Sequence, residues 1–158
     1  MYGGSANLCT ENGVDLGADS RFGWVEDLQL GSGEEVLGQI ESGVEALLQK
    51  EARVISVGGD HAVTFPILRA FAKRYEGLSI LHLDAHPDLY HEFEGNPYSH
   101  ACPFARIMEE GLARRLVQVG IRTMTPYLKE QVERFGVEVV EMKQFGVGMD
   151  LGLEGPLY

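Results

Sequence analysis

Leu78-Ser79-Ile80-Leu81-His82-Leu83 runs directly into Asp84-Ala85-His86-Pro87-Asp88. The first six residues are mostly apolar and short enough for a buried strand, and the next five deliver two carboxylates and an imidazole where that strand ends. A second segment repeats the pattern upstream. Arg53-Val54-Ile55-Ser56-Val57 is β-branched, and it is followed by Gly58-Gly59-Asp60-His61. Functional groups at the carboxyl ends of strands are the usual arrangement in a parallel α/β sheet.

Working outward, the chain alternates strand and helix. Apolar residues at 36, 37, 40, 44, 47 and 48 fit a helical period and predict an amphipathic helix over 34–50, with Ser32 as its N-cap and Glu35 three residues on. Residues 53–57 predict a strand, and 64–73 a helix with Pro66 in its first turn. The strand 78–83 is followed by a polar, aromatic loop over 88–99. A helix over 104–110, a strand over 116–119, a helix over 126–135 and a short strand over 137–140 complete the order β-α-β-α-β-α-β. Right-handed crossovers then give a three-layer α/β/α architecture with a mainly parallel sheet and helices on both faces. Residues 1–33 are rich in Gly, Asn, Asp and Ser, with Phe22 and Trp24 expected to pin them to the body. Gly155-Pro156-Leu157-Tyr158 reads as the start of a further strand or as a loose tail. The whole chain, 1–158, reads as one domain, incomplete if that last strand is meant to continue.

Composition narrows the function classes. A chain of 158 residues with 44% hydrophobic and 23% charged residues is ordinary for a globular protein with a real core. The net charge of −11 argues against a nucleic-acid partner, which demands a basic surface, and suits a small cationic substrate. No apolar run reaches the length of a membrane span. Met1-Tyr2-Gly3-Gly4-Ser5 has no basic region leading into an apolar one, so the cytoplasm is the default expectation. Arg114-Arg115 is read as a helix end complementing the helix dipole. Cys9 and Cys102 show no metal or redox spacing and read as free thiols.

Asp84, His86 and Asp88 alternate, so extended backbone would point all three into one volume. His61, at the end of a strand placed beside them, would reach the same volume. Two carboxylates with two imidazoles suit Mn²⁺, Zn²⁺, Co²⁺ or Fe²⁺, and the carboxylate content favours Mn²⁺. Such ions activate water for hydrolysis. The plain structural reading stands beside this one, because Asp-Xaa-His at a strand end also occurs without a metal. Asp60 is either a partner of a metal-bound histidine or a turn residue. His82, alternating with Leu81 and Leu83, reads as a packed, hydrogen-bonded histidine. Gly58-Gly59 lacks the lysine of a phosphate loop and reads as backbone turning in a crowded place. His91 and His100 are loop imidazoles, proton shuttles or surface residues. Tyr90, Phe93 and Tyr98 are pocket-wall or subunit-contact candidates.

Taken together, Gly58-Gly59-Asp60-His61, Asp84-Ala85-His86-Pro87-Asp88, Ser99-His100-Ala101 and Gln118-Val119-Gly120-Ile121-Arg122 resemble the ureohydrolase superfamily of arginases, agmatinases and formiminoglutamases. The stretch from Phe93 to Met108 looks closest to the plant-type arginases and bacterial agmatinase-like members. The resemblance implies an arginase-like α/β/α fold and a dinuclear Mn²⁺ site that hydrolyses guanidino C–N bonds with release of urea. It implies that His61 and Asp88 serve one manganese, that His86 serves the other, and that Asp84 bridges them. It also implies that His100 moves protons or positions substrate, and that the protein is a homo-oligomer. Family members carry two further aspartates in an Asp-Xaa-Asp motif on a later strand, which these 158 residues do not include. The expectation is therefore a truncated central portion with impaired activity, or a non-catalytic homologue that binds metal weakly or acts only as an interaction protein.

Overall fold

The computed structural model describes residues 9–33, 35–146 and 148–158. Its sheet contains β1 (Ser79–Leu83), β2 (Arg115–Ile121) and β3 (Glu138–Glu141), all parallel and in that spatial order. Each crossover carries a helix, α3 (Pro103–Glu109) between β1 and β2 and α4 (Pro126–Phe135) between β2 and β3. Ahead of β1 stand α1 (Glu35–Leu48) and α2 (Thr64–Arg74), the latter preceded by a short 3₁₀ turn at His61–Val63. This is the parallel α/β class expected from the alternation of patterns.

Local chemistry sets the boundaries. α4 begins where the Thr125 side chain accepts the Leu128 N–H at 3.2 Å, takes Pro126 in its first turn, and ends at Gly136 in the left-handed region. α2 accommodates Pro66 near its start, as expected. Glu34, the expected first residue of α1, lies outside the described residues, as does the stretch Met1–Ser5.

The core joins Ile40, Val44 and Leu48 of α1 to Phe65, Ile67 and Leu68 of α2, and to Leu78, Ile80, Leu89, Phe104, Ile107 and Leu116. α1 is clamped on α2 by Lys73, which bonds Glu41 and Glu45 at 2.8 and 2.9 Å. The helices pack in succession, α1 on α2, α2 on α3 and α3 on α4. On β1 the inward face carries Ile80 and His82, whereas Leu83 on the other face stays 70% exposed. This chain alone covers that second face only in part.

Three expectations are corrected. Residues 53–57 form no strand, and Ile55 and Val57 are exposed. β-branched residues favour extended backbone, but a ladder also needs a vacant edge. One edge of β1 is held by β2. The other is held by the chain terminus: Ser79 N–H donates to the Pro156 carbonyl, Leu81 N–H to the Tyr158 carbonyl, and Tyr158 N–H to the Ser79 carbonyl, at 2.8–3.0 Å. The last residues thus do begin a strand-like pairing. Second, Phe22 and Trp24 are not buried against the body, being 53% and 82% exposed. Third, Arg115 ends no helix. It opens β2, bonds Glu138 of β3, and donates to the Leu151 and Gly152 carbonyls at 2.8 and 2.6 Å.

Candidate metal centre

β1 stops at Leu83, and the chain bends at Asp84 and Ala85 instead of continuing extended. The cause is local. The Asp84 carboxylate accepts the backbone N–H of His86 at 2.8 Å, closing an Asx turn. Gly120 allows β2 to pass closely beneath this turn. Its φ is +97°, and a Cβ there would stand 3.1 Å from the Asp84 carbonyl oxygen. Asp84 N–H in turn donates to the Val119 carbonyl at 3.1 Å. Asp88 has φ +48°, a left-handed conformation that Asp tolerates better than most residues.

The bend changes which side chains meet. Among the described residues, ligand atoms of His61, His82, Asp84 and Asp88 lie within 4.8 Å of one another. His61 Nδ1 stands 2.7 Å from an Asp88 oxygen, although the segment leading into His61 is not a strand of the sheet. His82 Nε2 stands 3.7 Å from Asp84. His86 is outside this group. Its side chain is 62% exposed, with Nδ1 3.2 Å from Asp84 Oδ1. The strict alternation expected for Asp84, His86 and Asp88 is thus replaced by a turn. His82 and Asp84 do share the period-two relation, which is the signal that could have placed His82 here.

Asp60 caps the 3₁₀ turn by accepting the Ala62 N–H at 2.8 Å, so the loop-backbone reading applies. His100 lies in the exposed loop, its ring edge-on to Phe93 and Nδ1 3.4 Å from Ser99 Oγ. His91 belongs to a surface network with Arg106 and Glu109. Tyr90 stacks on Tyr127 and Tyr98 on Phe65. Cys102 is fully buried with Sγ 3.7 Å from the Asn96 carbonyl, and burial raises its thiol pKa, the opposite of an activated nucleophile. Of the paired glycines, Gly58 is the crowded one: a Cβ would meet the Val63 side chain at 2.9 Å, whereas one at Gly59 would meet nothing within 4 Å. A cleft of about 240 Å³ lies beside His61, with Ser56, Asp60, Thr64, Ile67 and Tyr158 among its lining residues.

The electrostatics fit a cation. The hydrogen bond to Asp88 raises the His61 pKa against the opposing effect of burial, with Asp84 and Asp60 adding to the rise. Burial pushes His82 down to about 4, helped by neighbouring His61, so it is neutral near pH 7. Burial works to raise Asp84, but the N–H of His86 and the nearby imidazoles outweigh it and lower its pKa. Two carboxylates and adjacent imidazoles form a donor set suited to a borderline divalent ion, and a His61–Asp88 proton is what such an ion would displace.

This is a parallel α/β protein with a candidate metal centre at the carboxyl end of its first strand. The Arginase family model matches residues 4–150, and the chain belongs to that family. It is 47% identical to the mitochondrial arginase of Medicago truncatula, an alignment covering 88% of this chain and 44% of that protein. It is 52% identical to N(1)-aminopropylagmatine ureohydrolase of Thermus thermophilus over 45% of this chain and 24% of that protein. The solved arginase of Medicago truncatula superposes with a TM-score of 0.80 at 44% identity, covering 89% of this chain and 47% of that one. Proclavaminate amidino hydrolase of Streptomyces clavuligerus gives 0.63 at 33% identity, over 76% and 41%. The chain therefore spans about half the length of the relatives it matches. No helix among the described residues is long and apolar enough to cross a membrane.

Proposed function

We propose that this chain carries part of the centre of a manganese-dependent ureohydrolase, which hydrolyses a guanidino C–N bond of a small cationic substrate and releases urea. The observation that carries the reading is the convergence of His61, Asp84 and Asp88 at one strand end in a chain of this family. The names of the relatives, arginase and N(1)-aminopropylagmatine ureohydrolase, support a guanidino substrate. His61, Asp84, His86 and Asp88 would hold the metal, with Asp60 fixing the turn that presents His61. A bound divalent ion supplies Lewis acidity and a more acidic water. The protein's own part is positional. The Asx turn aims Asp84, the left-handed Asp88 aims its carboxylate at His61, and His100 on the adjoining loop supplies an imidazole for proton transfer.

The net charge of −11 favours approach of a cation. The exposed Leu83, Ile55 and Val57 support homo-oligomerisation, since apolar surface of this kind is normally covered. The test is urea release from arginine and from agmatine by the Mn²⁺-loaded chain beside its Asp84→Asn variant. Slow release from either substrate is expected of a chain that carries only part of the centre, as is its abolition in the variant. Metal-loaded protein that releases no urea from either, or release indifferent to Asp84, would contradict the reading.

A further inference from the structure

His82 belongs to the metal-centre group by distance, yet its chemistry there is set from the neighbouring strand. Gln118 stands opposite His82 in the β1–β2 register and is fully buried. Its side-chain nitrogen lies 2.7 Å from the Pro87 carbonyl oxygen and 3.1 Å from His82 Nδ1. A carbonyl oxygen can only accept, so the atom facing Pro87 is the amide nitrogen and the orientation of the amide is determined. Its two hydrogens go one to Pro87 and one to His82. His82 Nδ1 is therefore the acceptor, and a neutral imidazole with an accepting Nδ1 carries its proton on Nε2.

That Nε2 is buried, has no hydrogen-bond partner and lies 3.7 Å from Asp84 Oδ2. Two roles would satisfy it: a lone pair given to a metal ion, or an N–H given to a carboxylate. The proton selects the second. We infer that Gln118 locks His82 in the Nε2–H tautomer, making His82 a positioning residue whose N–H faces the Asp84 carboxylate and orients it, and not itself a ligand. The positioning role rests on the proposed metal centre, whereas the tautomer does not. Partners of this kind typically change metal affinity by about 10- to 100-fold when removed.

The test is two-bond ¹H–¹⁵N correlation NMR on the full chain labelled with ¹⁵N-histidine at neutral pH. His82 is assigned by its absence in His82→Phe, and spectra are recorded before and after addition of Zn²⁺ as a diamagnetic probe. The expected signature is a protonated Nε2 and an accepting Nδ1 in both spectra. An unprotonated Nε2 in either would overturn the assignment. In parallel, Mn²⁺ affinity is expected to fall by about 10- to 100-fold in His82→Phe. It should recover in part in His82→Gln, whose amide can donate to Asp84. Unchanged affinity in His82→Phe would overturn the positioning role. An Nε2–H signature in a chain that binds neither ion would overturn the metal reading and the positioning role with it, while leaving the tautomer standing.

Discussion

Asp88 and Gly120 show how single backbone choices build the centre. At φ +48° a β-carbon is crowded, and Asn or Asp bears this better than Ala. Asp88→Ala is therefore expected to be less stable than Asp88→Asn by about 1 kcal/mol in urea unfolding with chelator present. Gly120→Ala combines a φ of +97° with a 3.1 Å approach to the Asp84 carbonyl oxygen. It should cost about 1–3 kcal/mol, measured the same way, and should displace Asp84. The two histidines give opposite pH dependences. His61 has a folded value raised above 6.5, so its contribution is complete below about 6.5 and is lost as pH rises through the raised value. His82 has a folded value of about 4, so its contribution is present above about 6.5 and is lost as pH falls toward 4, of order 3 kcal/mol at most. In metal-free stability measured against pH, His82→Phe should flatten the acid side and Asp88→Asn the alkaline side.

At the scale of elements, Arg115 links β2 to β3 through Glu138 and to the final segment through the carbonyls of Leu151 and Gly152. Arg115→Met is expected to loosen that segment. Amide exchange should accelerate at Tyr158 and Leu81, whose bonds close the outer edge of β1, while exchange at the β1–β2 ladder stays slow; equal acceleration throughout would mean that Arg115 holds the whole sheet. The same edge explains what could be read in the residue order. Apolar period and the placement of proline in first helical turns were enough to locate α1, α2, α3, α4 and the three strands, because those signals are local. Residues 53–57 carried an equally good strand signal and failed to pair, because pairing depends on which segment takes an edge, and that is a nonlocal competition. The site divides in the same way. His61, Asp84 and Asp88 could be recognised as donors from their types and positions. The Asx turn that leaves His86 exposed, and the arrival of Gln118 opposite His82, depend on strand register and lay beyond any local pattern.

At the scale of the whole molecule, a chain spanning about half the length of its relatives has a core running from α1 through α4 to Val137, a partly open sheet face and one clustered set of metal-type donors among the described residues. The central claim is that this cluster is a divalent-metal site. The most direct measurement is Mn²⁺ content by elemental analysis after loading and buffer exchange, on the intact chain and on an Asp84→Asn, Asp88→Asn double variant whose far-ultraviolet circular dichroism matches it. The account predicts Mn²⁺ retained by the intact chain and lost from the variant. Equal retention by both, or none by the intact chain, would contradict it.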